Sequence, residues 1–191
     1  MKLLIAEKPD QGMALISQFK TRKQNGYIII EPNKWFPNGG YCTWAVGHLL
    51  QLVPPEIYNP IWKKWTLENL PIIPEKFQYE VVKSKSKQYQ IISKLLKNKE
   101  VTEIIHGGDA GREGELIVRS IIQKSGVNKP MKRLWISSLT PKAVLEGFDR
   151  LLDEEKTRSL YYEAYTRACA DWLIGMNASR IYSILLKEKG I

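Results

Sequence analysis

The chain has 191 residues and a formal net charge of +9, from 29 Lys and Arg against 20 Asp and Glu. Its hydrophobic share of 43% and charged share of 26% exclude a disordered tail, and the length admits one full domain plus part of a second. The positive excess suits a polyanionic partner, nucleic acid ahead of an anionic membrane surface, and equally suits a protein that needs charge only for solubility.

From the N-terminus, the apolar run Lys2–Ala6 meets Glu7-Lys8-Pro9, which predicts a strand, a turn and a helix over roughly 9–20. The run is too short for a signal peptide, and no later stretch is long enough to cross a bilayer, so a cytoplasmic protein is expected. GYIIIE (26–31) and YCTWAVG (41–47) are β-branched and aromatic around a Pro/Asn/Gly turn, an antiparallel pair. Cys42 and Cys169 have no CxxC partner, which fits a reducing compartment and argues against a zinc site. Residues 54–75 carry five prolines with Trp62 and Trp65, an irregular but apolar excursion.

From residue 86, KQYQIISKLLKNKE has a helical period with a lysine-rich outer face. TEIIH (102–106) predicts a strand, GELIVRSIIQKSG a helix stopped by Gly126, KRLWIS (132–137) another strand, and Thr140-Pro141 the start of a helix ending near Leu152. Strands alternating with helices predict a mainly parallel α/β sheet. Beyond Asp153 the pattern is helical throughout, so a boundary is expected near residue 150.

HGGDAGREGE (106–115) sets three acids among four glycines between a strand and a helix. The glycine spacing is not that of a dinucleotide fold and no GK[ST] follows, while carboxylates would repel a bare phosphate. A divalent cation resolves the conflict: Asp109 and Glu113 are hard oxygen ligands for an ion that bridges to phosphate oxygens. In a parallel sheet the carboxyl ends of neighbouring strands share an edge, so Glu7 and Asp109 could face each other, with Lys8 on a phosphate oxygen. Each acid taken singly could as well serve a helix N-terminus; the set favours a metal.

Strand–Glu7 with Asp109-x-x-x-Glu113 resembles the Toprim domain of topoisomerases, bacterial primases and some nucleases. IAEKP, TWAVGHL, WTLENLPIIP, DAGREGELI, KRLWISSLT and ADWLIGMNASR, in that order over residues 2–183, resemble the N-terminal part of bacterial type IA DNA topoisomerases of the topoisomerase III branch. The resemblance implies a Rossmann-like Toprim domain over 1–150 and the beginning of a helical DNA-binding domain over 151–191. It implies Mg²⁺-assisted cleavage, passage and religation of single-stranded DNA through a 5′-phosphotyrosyl link, without nucleotide, by a monomer. By matching position, Glu7 is the acid/base and a metal neighbour, Lys8 steadies the scissile phosphate, and Asp109 and Glu113 are metal ligands. Trp65, Trp172 and Arg180 fall where the family places DNA contacts, and Arg167 could be aimed at a phosphate by Asp171.

Two departures matter. The family's Asp-x-Asp-x-Glu has Gly111 in its middle, so a single, weakly held Mg²⁺ is expected. The family's nucleophilic tyrosine belongs to a later domain, and Tyr161, Tyr162 and Tyr165 share one helix as packing residues, so no DNA cleavage is expected of these residues alone. The alternatives are another Mg²⁺-dependent Toprim enzyme, a primase or nuclease, and a non-catalytic DNA-binding module.

Overall fold

A computed structural model describes residues 1–190. In chain order the elements are β1 (Lys2–Ala6), α1 (Pro9–Leu15), β2 (Thr21–Gln24), β3 (Tyr27–Ile30), β4 (Gly40–Trp44), β5 (Leu50–Leu52), α2 (Pro55–Tyr58), β6 (Tyr79–Val81), α3 (Ser86–Lys97), β7 (Glu103–Gly107), α4 (Arg112–Ser125), β8 (Met131–Arg133), α5 (Pro141–Asp149), β9 (Leu152–Asp153) and α6 (Arg158–Glu188). Seven strands form one sheet in the order β2-β3-β4-β1-β7-β8-β9, and β5 and β6 form a small second sheet. The four central strands run parallel, while β2, β3 and β9 pair antiparallel at the two sides.

The alternation of β1 builds the core on both faces. Leu3 and Ile5 pack with Ile92, Leu96, Ile117 and Ile121 from α3 and α4, whereas Leu4 and Ala6 pack with Leu15, Val144 and Phe148 from α1 and α5. Successive strand residues point to opposite faces, so a strand covered on both sides must be apolar at every position, as KLLIA nearly is. The fold is therefore the expected α/β architecture: a mainly parallel sheet between helices, followed by a long C-terminal helix of 31 residues.

The structure differs from the expectation in its element ends. The helix predicted over 9–20 stops at Leu15, and Phe19 lies in an aromatic cluster with Trp35, Phe36 and Phe148 that takes the chain off the helix axis. The strand predicted over 132–137 ends at Arg133, because its ladder with β7 ends at the pair His106–Arg133. The exposed strand β2, TRKQ, has no apolar alternation by which sequence reasoning could find it.

The chain forms two compact units, Met1–Leu50 with Val81–Ala164, and Gln51–Glu80 with Tyr165–Ile191. The second unit thus contains the proline-rich excursion, whose short helical turns follow one another from Pro55 to Asn69. Asn177 pins this excursion to α6, its side chain accepting from the Ile72 amide at 2.7 Å and donating to the Ile72 carbonyl at 2.9 Å. No described helix is long and apolar enough to cross a membrane.

Candidate functional site

From β1 the chain goes to β4 on one side, and later to β7 on the other, so the carboxyl ends of β1 and β7 flank a topological switch point. Crevices that take ligands form at such points. Glu7 follows the last residue of β1, and Asp109 lies two residues beyond β7. The expectation that they face each other holds: Glu7 Oε2 accepts from the Asp109 amide at 3.2 Å. The Lys8 ammonium stands between the acids, 3.3 Å from Glu7 Oε1 and 3.1 Å from Asp109 Oδ2.

Glu7 is only 5% exposed, whereas the Lys8 and Asp109 side chains are open to solvent. The hydrogen bond to Asp109, then the charge of Glu7, raises the Lys8 pKa above its ordinary value. Lys8 is therefore a firmly charged cation at the mouth of the crevice.

Gln11, one helical turn beyond Glu7, ties the two acids together. Its carbonyl accepts from the Glu7 amide at 2.8 Å and its amide donates to Asp109 Oδ1 at 2.7 Å. Sequence reasoning missed this residue, although an i+4 position at a helix start was a usable signal.

Beneath the loop lies a second feature that sequence reasoning missed, a buried charge network. Glu115 is fully buried and accepts from Arg133 Nε at 2.5 Å, Arg119 Nε at 2.6 Å and Thr157 Oγ1 at 3.1 Å. Arg133, also fully buried, donates to the carbonyls of His106, Gly108, Leu134 and Asp109 at 2.6–3.2 Å. Burial lowers the Arg133 pKa, and the Glu115 carboxylate opposes that shift. The acidic loop is thus hung by its carbonyls from one guanidinium, whose planar fork suits several acceptors at once.

His106, the last residue of the strand predicted over 102–106, lies inside β7 with no solvent exposure. Its Nδ1 accepts from the Gly108 amide at 3.1 Å, which assigns the proton to Nε2, toward Glu115 Oε1 at 3.5 Å. Burial, then the charges of Arg133 and Arg119, push its pKa well below 6.5.

Glu113 is placed differently from Glu7 and Asp109. The helix α4 begins at Arg112, so Glu113 and Glu115 lie in its first turn, where acids suit the helix dipole. The Glu113 carboxylate pairs with the His48 ring. Among the described residues, no group of three or more His, Cys, Asp or Glu is arranged to hold a metal.

The donor set nonetheless suits Mg²⁺. Glu7 and Asp109 offer hard oxygens, and the Lys8 ammonium between them marks a position where positive charge is wanted. Magnesium commonly takes one or two carboxylates, keeps several waters and completes its shell from substrate phosphate. Gly111, where the family pattern has an acid, has open space around a Cβ built on it.

In the second unit, Trp65 is 52% exposed, and the Arg180 guanidinium lies 5.1 Å from its ring centre. Arg180 itself is 4% exposed and donates to the Trp62 carbonyl at 2.5 Å, so it supports Trp65 from below. Trp172 meets Tyr58 and Phe77 edge-on at 5.8 and 5.6 Å, a packing arrangement. Arg167 and Asp171 form an exposed pair at 3.6 Å. Of the tyrosines expected to share one helix as packing residues, Tyr161 is buried and bonds Gln123 at 2.7 Å, while Tyr162, 57% exposed, meets the Tyr161 ring edge-on at 5.4 Å.

The family model described as the Toprim domain matches residues 2–139. The curated DNA topoisomerase 3 of Staphylococcus epidermidis is 45% identical over 179 residues, 93% of this chain and 24% of the relative. The DNA topoisomerase 3 of Bacillus subtilis matches with the same identity and coverage, 45% over 93% of the chain and 24% of the relative. The chain therefore spans about a quarter of the length of these relatives. Full-length topoisomerase I from Thermotoga maritima matches at 20% identity with a TM-score of 0.46, over 79% of this chain and 21% of that one.

Proposed function

Because the chain belongs to the Toprim domain family, we propose that it is the cation- and DNA-binding part of a type IA DNA topoisomerase of the topoisomerase III kind. The crevice at the switch point carries the reading: one buried carboxylate, one open carboxylate and a charged lysine meet where two parallel strands diverge. That set is suited to a phosphodiester, which needs charge neutralisation and in-line positioning more than covalent help.

Glu7 and Asp109 would hold Mg²⁺, with Glu113 joining them on release from His48. When bound, the ion neutralises charge on the phosphodiester oxygens. Lys8 binds a non-bridging phosphate oxygen at the mouth of the crevice. When a tyrosine oxygen bonds to phosphorus, its proton passes to the Glu7 carboxylate, and Glu7 hands that proton to the 3′ oxygen as the bond from the 3′ oxygen to phosphorus breaks. It receives that proton back on resealing. Gln11 and Arg133 keep the two acids in place throughout.

The reading takes residues 1–150 as the Toprim domain and 151–191 as the start of a helical DNA-binding domain. Trp65, backed by Arg180, offers a face to a base of single-stranded DNA. Arg167 offers a phosphate contact, and Trp172 shapes the surface around them. The nucleophilic tyrosine is assigned outside these 191 residues, so the chain alone binds DNA without cutting it. No nucleotide is consumed, and the protein acts as a monomer in the bacterial cytoplasm on nucleoid or plasmid DNA.

Glu7→Gln in the full-length protein tests the proposal. Relaxation of negatively supercoiled DNA is expected to disappear while affinity for single-stranded DNA is kept. A variant that relaxes DNA at the wild-type rate would overturn it.

A further inference from the structure

The loop after β8 lies beside the acidic loop and has no role in the account above. The ladder pairs Ala6 with Gly107 and His106 with Arg133, so the carboxyl ends of β1, β7 and β8 share one edge. Residue 135, two beyond the last pair, is then level with Gly108, next to Asp109. That residue is Trp135, an indole 36% exposed.

Its orientation follows from alternation. Leu134 and Ile136 turn to α5, where a Cβ on Gly147 would lie 2.8 Å from Leu134 Cδ1 and 2.5 Å from Ile136 Cγ2. Trp135 is turned the other way, with the Arg133 guanidinium 4.8 Å from its ring centre. Arg133 also donates to the Asp109 carbonyl at 2.7 Å. One buried cation thus holds the acidic loop and backs the tryptophan, giving a rigid ring beside the crevice.

An exposed aromatic face with cations near it is how single strands are held without regard to sequence.

We propose that Trp135 is a base-stacking platform for a nucleotide of single-stranded DNA next to the phosphate bound at Glu7, Lys8 and Asp109. This rests on the reading of the crevice given above and adds a residue that the sequence pattern did not single out.

The test compares wild type, Trp135→Leu and Trp135→Phe for binding of a fluorescent oligothymidylate across a salt series. Trp135→Leu is expected to bind roughly tenfold more weakly, and Trp135→Phe to recover most of the loss, because only the phenyl ring restores a stacking face. The salt slope is expected to stay unchanged, since stacking releases no counterions. Oligonucleotide carrying 5-iodouracil is expected to cross-link to the peptide containing Trp135, and this decides the matter if Trp135→Leu does not fold.

Equal binding by wild type and a folded Trp135→Leu, or cross-linking only elsewhere, would overturn the platform and leave the crevice reading standing. Absence of oligothymidylate binding by the wild type would overturn both.

Discussion

At the scale of single residues, the crevice depends on groups that do not touch a ligand. Glu115 has no solvent exposure, and two guanidiniums and a hydroxyl donate to it. Its removal would leave Arg133 buried beside Arg119 without a counterion, and breaking such a pair costs far more than the pair contributes when intact. Glu115→Ala is therefore expected to lower stability by about 3–5 kcal/mol in urea unfolding. Arg119→Lys, which keeps a charge at a less buried position, is expected to cost less. Glu7, Lys8 and Asp109 were legible in the sequence because each follows the end of an apolar strand. Gln11, Arg133 and His106 were not, since nothing in their neighbours announces a contact made across the sheet.

At the scale of elements, the acidic loop and the first turn of α4 form one tight unit. A Cβ on Gly114 would lie 2.3 Å from the Asp109 carbonyl oxygen and 2.8 Å from its amide nitrogen, a backbone clash that no side-chain movement relieves. Gly111, by contrast, meets nothing within 4 Å and has an extended φ of 175°, open to any residue. The two glycines of one motif thus have opposite tolerance. Gly114→Ala is expected to displace Asp109 and lower the melting temperature by several degrees, as a change of about 1 kcal/mol does in a domain of this size. Gly111→Asp is expected to melt within about a degree of wild type and to bind Mg²⁺ more tightly in calorimetry, because ligand charge sets the strength of such sites. The sequence located this loop and its helix; the structure puts Glu113 in the first turn of α4, paired with His48, and Asp109 in the loop before it, beside Lys8.

At the scale of the molecule, acid sensitivity follows from the buried imidazole. His106 faces Glu115, with Arg133 and Arg119 beside it, and its folded pKa lies well below the 6.5 of the unfolded chain. Below pH 6.5 the unfolded state takes up a proton that the folded state refuses, so stability falls as pH falls and is insensitive to this group above that value. The slope for one such group is at most about 1.4 kcal/mol per pH unit. His106→Gln is expected to remove this component, so the stability difference between the two proteins should change between about pH 5 and 6.5 and stay constant above it. Parallel denaturant titrations across that range measure it.

The sequence by itself determined the α/β class, the parallel centre of the sheet and the two strand ends that carry Glu7 and Asp109. Hydrophobic periodicity, capping and proline placement act over a few residues, and those features are local. Which acids meet, which tryptophan packs and which is exposed, and which arginine holds the loop are not local. Glu7 and Asp109 meet because β1 and β7 are neighbours at a switch point, whereas Glu113 is carried by the helix to His48. Trp135 stands free at the sheet edge because alternation turns Leu134 and Ile136 inward against Gly147. Such contacts join residues far apart in the chain, and only the packed sheet with its helices brings them within hydrogen-bonding distance.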